Sequence, residues 1–422
     1  MTSEQPTEAY VWIWLPDATQ PIVAGRLEAV ADIVNFNYGR SYLERDDAIA
    51  LYLPELPLQS GRIPPLSGLK VAGCIADATP DAWGQRMILR RMVGEGGTGM
   101  DPASLGPLTY LLQSASDRIG ALDFQLSPDE YVARDEGSAP LDELTQAAQR
   151  VEEGRPFSPV LDQALLRGSS IGGARPKALL IDGNRKLIAK FSSTTDRYAA
   201  VKGEYAAMEL ACRAGLDVAS VALEEVLGKD VLLITRFDRP PGLNQRRAIV
   251  SALTILELDE MMARYASYEA LAQAVRQRFN DAPGTLRELF GRLTFNILVS
   301  NNNDHARNHA AFWDGAALTL TPAFDICPQA RAGGETTQAM AITADGFRMS
   351  QLAACVEQAS IYLLSGAQAR EIIDHQIDVI ESQWSDVCDL ARMSEVERGY
   401  FWRRQFLNPY ALESYAHTLG AP

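Results

Sequence analysis

An α+β fold is predicted for this 422-residue chain, with a strand-bearing N-terminal part and a mostly helical C-terminal part. Three observations predict it. Between Tyr10 and Phe237, short apolar runs are punctuated by Pro, Gly, Asp and Asn, the pattern of strands joined by tight turns. From Ser251 onward the apolar residues recur mostly at helical spacing. The length is large for a single core, so two or three domains or subdomains are expected.

Tyr10 to Leu15 is an apolar strand ended by Pro16-Asp17, and Ile22 to Leu27 resumes as its hairpin mate. Phe36 to Tyr38 and, past Gly39, Ser41 to Leu43 are strand-like. The proline-rich stretch from Leu51 to Leu69 reads as loop, because proline removes a donor and clashes inside a helix. Pro80 to Leu89 and Leu105 to Gln113 read as helices, and Asp117 to Phe124 turns into a strand. Asp129 to Pro159 is an acidic connector with one helix around Leu141 to Val151. Ala178 to Ile181 and Leu187 to Phe191 flank Asp182-Gly183-Asn184, a strand–turn–strand hairpin. Ala199 to Gly215 is helical in period, and Val218 to Leu227 with Val231 to Phe237 form another two-strand unit. Helices are expected over Ala270–Phe279, Leu286–Ser300, Ser350–Leu364 and Ala367–Cys388. The expected divisions are 1–125, 126–235 and 236–422.

Composition narrows the function classes. Hydrophobic residues make up 47% and charged residues 22%, as in ordinary folded soluble proteins. No apolar run approaches the roughly 18 residues of a membrane span, and the start MTSEQPTEAYVWIW lacks the basic region of a secretory signal. Five dispersed cysteines without a CxxC suit buried thiols in a reducing cytoplasm, not a disulfide framework or a zinc site. A formal charge of −15 argues against broad autonomous nucleic-acid binding and is compatible with a basic protein partner.

The densest chemistry is NNNDHARNH, Asn301 to His309, after the apolar run Leu293 to Val299. Such a polar run has little packing value and high chemical value. Asp325 follows in an apolar segment, Thr321 to Ile326, where a carboxylate is costly unless it pairs with or binds something. Asn308 and Asp325 can offer hard oxygen ligands to Mg²⁺, with ATP phosphates and water completing the shell. His305 and His309 are spaced as on one helix face; zinc is disfavoured for want of a third ligand, and no GxSxG supports a hydrolase triad. The bland alternative is a helix cap with a surface turn, which leaves Asp325 unexplained.

Upstream, Ser169 to Lys177 places Gly172, Gly173 and Lys177 ahead of the hairpin. Glycine admits phosphate to backbone N–H groups and lysine supplies charge, although neither the P-loop nor the GxGxxG spacing is met and a plain turn is the competing reading. Lys190, closing an apolar strand, is either an edge gatekeeper or a cation paired with an acid. Glu204 is the evident acid, and the pair would hold an α- or β-phosphate as in protein kinases. Thr235, Arg236, Phe237 and Asp238 follow a strand and form a polar backbone hinge able to meet an adenine edge, or else a charged linker.

In this order the motifs resemble the HipA family of toxin kinases from bacterial toxin–antitoxin systems over nearly the whole chain. PDAWGQRM (Pro80 to Met87) and DRIGALDF (Asp117 to Phe124) resemble its N-terminal subdomain. SIGGARPK (Ser170 to Lys177) resembles its glycine loop, LIAKF its strand lysine, ITRFDR (Ile234 to Arg239) its hinge, NDHARNH its catalytic loop and FDI (Phe324 to Ile326) its metal segment. The resemblance implies a protein-kinase-like two-lobe fold with an extra strand-rich N-terminal subdomain and a helical C-terminal lobe. It implies Mg²⁺-ATP-dependent phosphorylation of serine, with Lys177 and Lys190 on ATP, the hinge on adenosine, and Asn308 and Asp325 on Mg²⁺. Ser170 would be autophosphorylated, which ejects the glycine loop. The implied partners are a small HipB-like helix-turn-helix antitoxin, operator DNA mainly through that antitoxin, and an aminoacyl-tRNA synthetase as substrate.

One departure bears on catalysis. The family's catalytic aspartate stands five residues before the metal-binding asparagine, and this chain has Asn303 there, with Asp304 next. An amide cannot accept a proton as a carboxylate does. Asp304 takes over, or transfer relies on positioning and metal electrostatics, or the chain is an inactive kinase-like corepressor. A small-molecule phosphotransferase is the third alternative.

Overall fold

The computed structural model describes residues 5–80, 82–93, 101, 105–134, 140–152, 177–193, 196, 198–242, 244–331 and 333–415. Ser170, Gly172 and Gly173 lie outside the described residues.

In chain order, strands β1 (Glu8–Ile13), β2 (Ile22–Val30) and β3 (Ile33–Tyr38) precede short helices α1 (Arg40–Leu43) and α2 (Gly73–Ala76). Helices α3 (Ala82–Val93) and α4 (Pro107–Gln113), strand β4 (Leu122–Gln125) and helix α5 (Leu141–Glu152) follow. Strands β5 (Lys177–Asp182) and β6 (Arg185–Phe191), helix α6 (Ala200–Arg213), and strands β7 (Val221–Val226), β8 (Lys229–Thr235) and β9 (Ala248–Ser251) come next. Then come α7 (Ala252–Ile255), α8 (Tyr268–Arg278), α9 (Ala282–Leu298), β10 (Ala310–Trp313) and β11 (Leu318–Leu320). The chain closes with α10 (Leu352–Glu357), α11 (Gly366–Leu390), α12 (Glu395–Phe401) and α13 (Pro409–Leu412). Strands crowd the first part and helices the last, the predicted α+β order.

By compactness the chain divides into two units. The first comprises 1–194, 224–250 and 312–316; the second comprises 195–223, 251–311 and 317–422. The boundary expected at 125/126 falls inside the first unit and remains a division of sequence pattern.

The first unit carries a sheet of order β3-β2-β1-β4. The register slips between Val11 and Trp12, opposite Gly25, where β2 crosses β3 closely. A Cβ on Gly25 would lie 2.1 Å from the Asn37 carbonyl, so only glycine fits. Ser41 to Leu43, expected as strand, is the helix α1. Tyr42 stacks on Tyr38 with centroids 5.6 Å apart, and its N–H bonds to the Gly39 carbonyl, so packing overrides strand propensity.

A second sheet has the order β5-β6-β8-β7. The connector helix α5 covers one of its faces. Leu144 and Ala148, one turn apart on that helix, pack on Ala178, Ala189, Phe191 and Val231. That packing gives the sheet an inner face and leaves alternate residues on the other.

The second unit is built around α9, whose Leu286, Leu289, Phe290, Leu293, Phe295, Ile297 and Leu298 are all buried. Asp281 caps its start by accepting from Gly284 N–H at 3.0 Å. Helix α11 begins with a Ser365/Gln368 capping box, and α12 with Ser394/Glu397. Gly203 of α6 meets the Phe401 ring; a Cβ there would come within 2.6 Å of it. Among the described residues no helix is long and apolar enough to cross a membrane.

Candidate functional site

The candidate residues fall in both units. In the first, the antiparallel register of β5 and β6 sets Ala178 opposite Ala189 and Lys177 opposite Lys190. Ala178 and Ala189 turn inward to α5, so both lysines project from the opposite face. Lys177 is only 2% exposed and Lys190 is half-buried. Directly opposed residues have Cβ atoms about 5 Å apart, and like charges there repel. Two cationic side chains thus share one face of the sheet. Lys177, expected in the glycine loop, is the first residue of the strand.

The hinge follows β8. Its side chains are committed elsewhere: Arg236 donates to Asp238 at 2.8 and 3.0 Å, to Asp117 Oδ1 at 3.0 Å and to the Arg118 carbonyl at 2.9 Å. Asp238 accepts Gly120 N–H at 2.9 Å and Arg239 at 2.8 Å. Phe237 meets Phe312 edge-on, with centroids 5.9 Å apart. Arg236 and Asp238 thus have no side-chain group turned to a ligand, and what the hinge can offer is its main chain. Burial would raise Asp238, but Arg236 and Arg239 outweigh it and hold the carboxyl down to about 2.

In the second unit, Glu204 is buried on α6. The loop after α9 is folded back by its own asparagines. Asn301 Nδ2 donates to Asn296 Oδ1 at 3.0 Å and to the Asp325 carbonyl at 3.3 Å, tying the loop to the Asp325 segment. The Asn302 carbonyl accepts from Ala339 N–H at 2.9 Å, and the Asp304 carbonyl from Met340 N–H at 3.2 Å. Between these pinned neighbours Asn303 is exposed.

Asp304 is buried. Tyr268 Oη donates to its carboxylate, and His309 Nε2 lies 3.0 Å from Oδ1. Burial, and then the Asp304 charge, push the Tyr268 phenol well up, so it keeps its proton and donates. His309 Nδ1 has no hydrogen-bond partner among the described residues. The His309 carbonyl accepts Ala252 N–H at 2.7 Å. Asp304 therefore ties α8 to the loop. The stretch Asn301–His309, read as having little packing value, in fact buries Asn301, Asp304, Asn308 and His309. Tyr268 had no signal in sequence, because a lone tyrosine at the start of a helix is unremarkable.

Asn308 closes a short 3₁₀ turn, with its N–H on the His305 carbonyl at 2.8 Å. His305 is half-buried and immediately precedes that turn. Asp325 is half-buried and has φ of 60°, left-handed backbone that a non-glycine residue adopts at some cost. An amide oxygen and a carboxylate form a hard donor set that fits Mg²⁺, given phosphate and water for the other positions.

Residues 169–384 match the model of the HipA-like C-terminal domain. The Y4mE protein of Sinorhizobium fredii, a kinase by name, is 26% identical over 269 residues, which cover 56% of this chain and 60% of that protein. The matched part thus spans less than two thirds of that relative. The fold is similar to that of a chain in the HipA, HipB and operator DNA complex of the Shewanella oneidensis toxin–antitoxin system. The TM-score is 0.69 at 17% identity, covering 96% of this chain and 97% of that one. The matching domain model takes in the lysine pair, the hinge, the asparagine-rich loop and Asp325, and on it the chain belongs to the HipA family, with the fold of the Shewanella chain it matches.

Proposed function

We propose that this protein is a Mg²⁺-ATP-dependent serine/threonine protein kinase and the toxin of a type II toxin–antitoxin pair. The observation that carries the reading is the cross-strand pair Lys177–Lys190, two cations on one sheet face, one of them buried. Nucleotide phosphates are anions that two such cations can hold. On this reading Gly172 and Gly173, which lie outside the described residues, are assigned to the phosphates, and Glu204 is the acid assigned to Lys190. The main chain of Thr235–Asp238 holds the adenine, and Asn308 with Asp325 holds Mg²⁺. Bound Mg²⁺ would neutralise charge on the β- and γ-phosphates. Ser170 is the autophosphorylated residue; a phosphate there adds close to two negative charges and repels the loop from ATP.

By likeness to the Shewanella complex, the partners are a HipB-like antitoxin and, through it, operator DNA. The substrate proposed is an aminoacyl-tRNA synthetase, and the compartment the cytoplasm. The test is incubation of the full chain with ATP and Mg²⁺, alone and with cell lysate, followed by phosphopeptide mapping. Label on Ser170 that is lost in Lys190→Ala supports the reading. Absence of nucleotide binding with Mg²⁺ present would sink it.

A second reading rests on one observation: Asn303 is exposed at the acceptor position, while the Asp304 carboxylate is engaged by Tyr268 and His309. On this reading the chain binds ATP and antitoxin as a corepressor without transferring phosphate. Phosphate transfer by the unaltered chain would remove it.

A further inference from the structure

The DRIG segment, Asp117 to Gly120, has no part in the chemistry above, yet the hinge side chains converge on it from about 120 positions away. Asp117 Oδ1 accepts from Arg236 at 3.0 Å and from Arg239 Nε at 3.1 Å, while Oδ2 accepts from Lys186 Nζ at 2.7 Å. The Arg118 carbonyl accepts from both Arg236 and Arg239, and the Gly120 carbonyl accepts from Arg239 at 2.9 Å. Gly120 N–H returns a bond to Asp238. One step further, Arg246 donates to the Ser116 carbonyl at 2.8 Å and lies 3.5 Å over the Trp14 ring.

These bonds are more than cohesion between two sheets. Apolar residues of the same volume would hold layers together as well or better, whereas a buried ionic network is satisfied in one geometry only. Here that geometry is imposed on residues 236 to 239. The Arg236 N–H is on the Lys186 carbonyl at 2.9 Å and the Asp238 carbonyl on Arg247 N–H at 3.0 Å, so the ends of the segment are pinned as well. Burial would raise the Asp117 carboxyl, but Arg236, Arg239 and Lys186 hold it well below the usual carboxylate range, so it stays ionised.

We propose that Asp117 is a positioning residue for nucleotide binding: through Arg236 and Arg239 it fixes the hinge main chain of Thr235–Asp238 in the conformation that receives the adenine edge. This rests on the ATP reading above. The DRIG turn ahead of β4 then acts on nucleotide binding through the hinge, without touching the nucleotide itself.

The test uses the full chain and two readouts. Amide hydrogen exchange over residues 235–240, without nucleotide, reports the hinge directly; calorimetric titration with ATP and Mg²⁺ reports binding. In Asp117→Asn, exchange over 235–240 should rise and ATP affinity fall, each by about tenfold or more. Val11→Ala, a core truncation in β1 that lowers stability and replaces no residue of the network, should leave both unchanged at matched fractions folded. Should Asp117→Asn not fold, Asp117→Glu keeps the charge and displaces the carboxylate, and it should give the same two changes to a smaller degree. Unchanged exchange over 235–240 in the Asp117 variants, or equal changes in Val11→Ala, overturns the proposal. If the unaltered chain binds no ATP, the ATP reading fails and the adenine-positioning role falls with it. The exchange arm then still decides whether Asp117 fixes the hinge.

Discussion

Asn303 is exposed between neighbours whose carbonyls are bonded, while Asp304 is buried against Tyr268 and His309. These two positions carry the question of catalysis. On the proposed kinase reading, a carboxylate at 303 would stand at the proton-acceptor position and in solvent reach of a hydroxyl. Asn303→Asp is therefore expected to raise phosphate transfer by about a hundredfold. The rate of phosphate incorporation from ATP checks this, and an unchanged rate would remove position 303 from the reaction. Tyr268→Phe deletes the hydroxyl that donates to the buried Asp304 carboxylate and should cost about 1–3 kcal/mol. Denaturant unfolding measures that cost; a variant as stable as the parent would show that the carboxylate needs no such donor.

At the level of elements, the hinge network makes the first unit sensitive to acid. Folding lowers the aspartates, Asp238 to about 2 and Asp117 well below its usual range. A lowered group contributes stability above the unfolded aspartate value of about 3.9 and loses it as pH falls through the folded value. Asp238 should thus contribute about 2–3 kcal/mol at neutral pH, lost mainly between about pH 4 and 2. A urea midpoint series over that range should be flatter in Asp238→Asn than in the parent. The α6–α12 contact offers a steric test. An alanine Cβ at 203 would fall 2.6 Å from the Phe401 ring, so Gly203→Ala should lose about 1–3 kcal/mol by overpacking. An unchanged melting temperature would mean that the ring moves freely.

The elements themselves were largely legible. The hairpin of β5 and β6 announces itself by its Asp-Gly-Asn turn, and α9 and α11 by long helical periodicity. Ser41–Leu43 was not, because the stacking of Tyr42 on Tyr38 decides its form. Nor was the packing of α5 on the second sheet, since the acidic connector around it suggested a linker.

For the molecule as a whole, the ATP reading makes a thermodynamic prediction. A ligand that binds only the folded chain stabilises it by about 2.7 kcal/mol at a hundred times its dissociation constant. ATP with Mg²⁺ should therefore raise the melting temperature of the full chain, and Lys190→Ala should abolish the rise; a rise persisting in that variant would dissociate the lysine pair from nucleotide. Residue types and their order along the chain sufficed for the α+β plan, the strand lysine, the asparagine-rich loop and the family resemblance, because these are local patterns of spacing and charge. They were silent on which polar groups turn inward. Asp304 as a tie between helix and loop, and the Arg236 and Asp238 side chains as anchors to Asp117 and Gly120, depend on contacts 36 to 119 residues apart. Burial and the pairing of charge arise when distant segments meet, and no local pattern encodes them.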